Sequence, residues 1–88
     1  MYYQFPKITL PGDVQDVARK VIEEASELID AIENNEGPDR ELEEFCDLWQ
    51  AFETLHRRVS AKYGPLAVLS AADMVERKNS APDRRYYD

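Results

Sequence analysis

The stretch Val14-Gln15-Asp16-Val17-Ala18-Arg19-Lys20-Val21-Ile22-Glu23-Glu24-Ala25-Ser26-Glu27-Leu28-Ile29-Asp30-Ala31-Ile32 decides the fold. Its apolar residues recur at the i, i+3, i+4, i+7 spacing of an amphipathic helix, from Val14 and Val17 through to Ile29 and Ile32. The spacing predicts a helix over 13–34. Asp13 is the expected N-cap, and the acids of Asp13 and Asp16 suit the positive end of the helix dipole. Asn34-Asn35-Glu36-Gly37-Pro38 carries the turn chemistry that ends the helix.

Working outward, a second helix is expected over 39–63, from Asp39 as N-cap to the stop signal Gly64-Pro65. Its apolar positions are Leu42, Phe45, Cys46, Leu48, Trp49, Phe52, Leu55, His56, Val59 and Tyr63. They cover about 180 degrees of the helix, against the roughly 100 degrees that a surface helix needs. Burial on two sides follows as an expectation, with Cys46 a buried thiol and His56 a packed core histidine. Pro65 suits a first helical position, and Leu66, Val68, Leu69, Ala72, Met74 and Val75 carry a third helix over 65–79. Before these helices, Pro6, Pro11 and Gly12 forbid a continuous helix, so residues 1–12 read as an extended arm that packs its aromatics on the helices. After them, residues 80–88 have no periodicity and read as an irregular tail. The expected architecture is all-α, one domain over 1–88.

Eighty-eight residues bury only about 60 to 65% of the surface of their unfolded chain, so a lone monomer is marginal. The wide apolar arc of the second helix points the same way, to a homodimer or homotetramer. With 43% hydrophobic and 33% charged residues the chain is neither disordered nor membrane-embedded. The formal charge of -7 argues against a nucleic-acid polymer as partner, since phosphate chains require a basic face. One cysteine cannot form an internal disulfide, and no charged start followed by an apolar run marks a signal peptide, so a cytoplasmic protein is expected.

Glu23-Glu24-Ala25-Ser26-Glu27 and Glu44-Phe45-Cys46-Asp47 each place carboxylates three apart on a helix, where like charges repel. A divalent cation between them reverses the sign of that interaction. The short loop makes the two helices antiparallel neighbours. Glu24, Glu27, Glu44 and Asp47 then lie roughly 15, 10, 7 and 12 Å from the turn, at interleaved levels. Around the axis, Glu24 falls about 80 degrees from the centre of the first helix's apolar stripe, near Val14 and Ile32, and Glu27 about 140 degrees. Glu44 is about 90 degrees from the second helix's stripe centre, with Asp47 further out. A shared site at the edge of the pair is permitted, and a solvated acidic face fits the spacing as well. Oxygen ligands in this number suit Mg2+, with Mn2+ the alternative, and not zinc.

With these two sets in view, the chain resembles the all-alpha NTP pyrophosphatases, in particular the small MazG-like proteins, whose pattern is E-E-x-x-E, a spacer, then E-x-x-D. The likeness runs from about Val14 to Tyr87 and includes Val75-Glu76-Arg77-Lys78-Asn79 and Arg84-Arg85-Tyr86-Tyr87. The resemblance implies helical dimers or tetramers built on a four-helix core, and cleavage of the alpha-beta phosphoanhydride of a nucleoside triphosphate to monophosphate and pyrophosphate. It implies Glu24, Glu27, Glu44 and Asp47 as Mg2+ ligands and catalytic groups, with Glu23 supporting them. Lys78, Asn79 and Arg84 are implied as contacts for phosphate or sugar. The spacing between Asn79 and Arg84, which includes Pro82, departs from the pattern, as does Arg85 where relatives often have glycine. A non-catalytic nucleotide-binding module and a phosphoribosyl-ATP pyrophosphatase are the competing expectations.

Overall fold

The computed structural model of the chain describes Phe5 and residues 10–82. Those residues form three helices and no strand: α1 (Val14–Glu33), α2 (Pro38–Tyr63) and α3 (Pro65–Asn79). Each boundary falls within one residue of its expected place. At the start of α1, Asp16 N donates to Asp13 Oδ1 at 3.0 Å while Asp13 N donates to Asp16 Oδ2 at 3.2 Å, a reciprocal capping box. Gly12 has φ +104°, and a Cβ there would sit 2.7 Å from Asp16 Cβ, so the cap requires glycine before it. α2 begins at Pro38 and not after an Asp39 cap. Proline has no N–H to leave unpaired and a φ already set for a first turn, which leaves Asp39 and Glu41 inside that turn beside the positive end of the dipole.

The chain divides into two compact units, residues 1–58 and 59–88. In the first, α1 lies antiparallel to the leading part of α2. Near the start of α1, the Arg58 guanidinium donates to Leu10 O at 2.9 Å and Gly12 O at 3.2 Å, whereas further along α1 Glu24 and Glu27 meet Glu44. Phe5 is held on α2 by both backbone groups: its N donates to Glu53 Oε1 at 3.1 Å and its O accepts from Arg57 Nη2 at 3.0 Å. Glu53 also pairs with Arg57, and the Phe5 ring stands edge-on to Trp49 with centroids 5.7 Å apart. The other residues of the expected arm, and the tail from 83 onward, lie outside the described residues.

The buried positions define the seam between the helices, and they revise the expected packing. On α1 they are Val17, Glu24 and Ala31, spaced seven apart, and on α2 Glu44, Ala51 and Thr54. At about 100 degrees per residue, the α1 seam is turned about 80 degrees from the centre of its apolar stripe. The stripe is only partly covered: Val14, Val21, Ala25 and Leu28 are half-buried, whereas Ile22 is 67% exposed and Ile29 and Ile32 are exposed as well. α2 is not buried on two sides in the single chain. Leu42, Phe45 and Phe52 are exposed, and so are Cys46 and His56, which corrects their expected burial. The physical reason is that α1 covers one side of α2, and the arc continues well past that side. Among the described residues, the buried apolar side chains are Val17, Ala31 and Ala51.

The second unit contains the end of α2, Gly64 at φ +92°, and α3 with Pro65 at its first position. No α3 residue is buried, and Leu66, Leu69 and Met74 are exposed. Among the described residues no helix is long and apolar enough to cross a membrane.

Candidate metal centre

Glu24 lies midway between Val17 and Ala31 along the α1 seam, and Glu44 lies seven residues before Ala51 on the α2 seam. The helical repeat that buries those small apolar residues therefore carries the two carboxylates inward with them. Glu24 is 8% exposed and Glu44 2%. Both are in the seam, where the stripe geometry had placed them at the edge of the pair.

Glu24, Glu27 and Glu44 each offer an oxygen within 4.8 Å of the others. Glu43, Glu44 and Asp47 form a second such group, so Glu44 belongs to both. Three of the four expected ligands thus converge directly, and Asp47 joins through Glu44. Glu27 and Asp47 are exposed, forming the rim of a cluster whose centre is buried. Glu43 was not singled out from the pattern, although it precedes Glu44 as Glu23 precedes Glu24.

One oxygen of each buried carboxylate is satisfied. Lys20 Nζ donates to Glu24 Oε1 at 3.1 Å, and Arg40 Nη2 to Glu44 Oε1 at 2.6 Å. The other oxygen of each, Oε2, is buried without a hydrogen-bond donor among the described residues. A buried acceptor left in this state costs about 1–3 kcal/mol, and more when charged. The neighbour within reach is another carboxylate, that of Glu27, which forms an attractive contact only when a proton lies between them.

The ionisation of the rim reflects this. Contact with Glu24, by hydrogen bond and then by charge, pushes the Glu27 carboxyl above its ordinary value. Asp47 is pushed up first by desolvation and then by the charge of Glu24. Lys20 is held more firmly charged by its hydrogen bond to Glu24, and Arg40 by the charge of Glu44. Hard, closely spaced oxygens with two buried lone-pair sites lacking donors fit Mg2+ or Mn2+. Cys46 and His56 are both exposed and lie outside these groups, so the donor set has no soft or imidazole component that would favour zinc or copper.

The expected phosphate contacts belong elsewhere in the chain. Lys78 is exposed in the last turn of α3 and Asn79 is half-buried at its end, both in the second unit, while Arg84 lies outside the described residues. Lys20 and Arg40 were not anticipated at the cluster, although each stands four residues before one of the two buried carboxylates, a spacing visible in the sequence. Compared with known protein families, characterised proteins and solved structures, the chain finds no match.

The raised Glu27 carboxyl has a measurable consequence. A raised folded-state value stabilises the protein below the unfolded value, near 4.5 for this group, and that contribution is lost as pH rises through the folded value. In chelator, Glu27→Gln is expected to melt above wild type at pH 7, with the gap closing as pH falls toward 4.5. Thermal melts across that range check it, and a gap independent of pH contradicts it.

Proposed function

We propose that the chain is a Mg2+-dependent nucleoside triphosphate pyrophosphohydrolase. The observation that carries this proposal is the pair of buried carboxylates, Glu24 and Glu44, each with one oxygen lacking a donor and with Glu27 in reach of both. The arrangement of the E-E-x-x-E and E-x-x-D sets, which resembles that of the MazG-like proteins, directs it from metal binding to phosphoanhydride chemistry.

Glu24, Glu27 and Glu44 would hold the cation, with Asp47 completing the set through its approach to Glu44. Bound there, a divalent cation supplies neutralisation of triphosphate charge and acidification of a water. Water adds to the alpha phosphorus, the alpha-beta bridging bond breaks, and pyrophosphate leaves with the bridging oxygen. A carboxylate oxygen of the cluster not saturated by the cation would accept the proton of the attacking water. The resemblance further implies Lys78, Asn79 and Arg84 as contacts for phosphate or sugar.

The working unit in this proposal is a homodimer or homotetramer with a four-helix core. Support comes from the faces the single chain leaves bare, Ile22, Ile29 and Ile32 on α1 and Leu42, Phe45 and Phe52 on α2. Exposed large apolar side chains in this number on both helices are what an association surface requires.

Pyrophosphate release from at least one NTP or dNTP, dependent on Mg2+, is the expected result of a nucleotide screen. Glu24→Ala, Glu44→Ala and Asp47→Ala are expected to lower the rate by on the order of 100-fold or more, because a Lewis-acidic cation contributes several kcal/mol to the transition state. Nucleotide binding without turnover would favour the non-catalytic module, and a preference for phosphoribosyl-ATP would reassign the substrate. For the assembly, sedimentation at micromolar concentration is expected to give a dimer or tetramer. A stable, folded monomer would contradict it.

A further inference from the structure

Two cations reach the cluster, and both are bound to the carboxylates that a metal would need. Lys20 holds Glu24 Oε1 at 3.1 Å and lies 3.7 Å from Glu23 Oε2. Arg40 spreads its guanidinium over Glu44 Oε1 at 2.6 Å, Glu43 Oε1 at 2.9 Å and Glu36 Oε1 at 3.5 Å. Their side chains are 39% and 48% exposed, so either can turn outward without leaving a buried hole. Because α1 and α2 run antiparallel and each cation precedes its ligand by four residues, the two approach the cluster from opposite ends of the seam.

Helix stability does not account for these positions. In both pairs the cation is N-terminal to the acid, the weaker of the two i,i+4 orders. Arg40 is also in the first turn of α2, where the helix dipole disfavours positive charge. What the positions do achieve is neutralisation of one oxygen on each buried carboxylate while the other is left for a different cation.

We propose that Lys20 and Arg40 are exchangeable cations of this site, paired with Glu24 and Glu44 in the metal-free protein and turned onto the phosphate chain of the ligand once a divalent cation occupies the carboxylates. This rests on the metal reading of the cluster. The divalent charge takes over the electrostatic role of both side chains and repels them, and a polyphosphate arriving beside Glu23, Glu43 and Asp47 requires positive partners of its own. Lys20 and Arg40 are positioned to be those partners. They act as phosphate-positioning residues, and they compete with the metal for its ligands.

The consequence is an opposed pair of effects, read by two probes that involve no turnover. In Lys20→Met and in Arg40→Met, affinity for Mn2+ alone, followed by electron paramagnetic resonance, is expected to rise several-fold. Affinity for inorganic tripolyphosphate at saturating Mn2+, followed by calorimetry, is expected to fall about tenfold in the same variants. Lys20→Arg and Arg40→Lys keep the charge and are expected to restore both values toward wild type, with circular dichroism reporting the helices. If wild type binds no Mn2+, the metal reading itself fails. If wild type binds Mn2+ but the variants leave tripolyphosphate affinity unchanged, or lower both affinities together, the exchange is overturned and the cations have only a structural role.

Discussion

Two like-charged carboxylates buried in one helix–helix seam are the constraint on which the first unit depends. Glu24 and Glu44 occupy positions where a hydrophobic core would place leucine, and each retains a buried oxygen without a donor. A buried acceptor oxygen left without a donor costs about 1–3 kcal/mol. The surrounding residues reduce that cost only partly. Lys20 and Arg40 each take one oxygen, and the other oxygen of each carboxylate is left without a donor among the described residues. A divalent cation bound there would remove that deficit, and its binding energy would add to the stability of the fold.

The same constraint explains where the apolar surface goes. To bring Glu24 and Glu44 inward, α1 turns its flank, not the centre of its stripe, toward α2. The stripe is then only half covered, with Ile22, Ile29 and Ile32 left exposed, and the wide arc of α2 continues beyond the reach of α1. Exposed Ile22 on one helix and exposed Phe52 on the other are two results of a single rotation about the helix axes. The acidic centre and the exposed apolar side chains arise together, because one pair of helices cannot bury both.

Much of the local structure was legible in the sequence. The three helices follow from periodicity and from Asp13, Gly64 and Pro65, whose cap and stop chemistry is local. Pro38 shifted the start of α2 by one residue because a first-turn proline competes with an aspartate cap. The rotation of the seam was not legible, since periodicity reports which residues are apolar and not which of them face a given partner. For that reason Glu24 and Glu44 were expected at an edge and are found inside, while Cys46 and His56 were expected inside and are exposed. The depths of Glu24, Glu27 and Glu44 along the helices permitted their convergence without demanding it, since a solvated acidic face fitted the spacing as well. The parts played by Lys20 and Arg40 depend on which carboxylate oxygens are left without donors, which only side-chain positions reveal.

The central claim is that the seam of α1 and α2 holds a divalent cation between Glu24 and Glu44. Anomalous diffraction at the manganese edge, on crystals grown with Mn2+, tests it most directly. The account predicts a single strong peak within roughly 2.0–2.3 Å of a carboxylate oxygen from each of Glu24 and Glu44. Crystals that show manganese only at other carboxylates, with Lys20 and Arg40 still paired to Glu24 and Glu44, would contradict it.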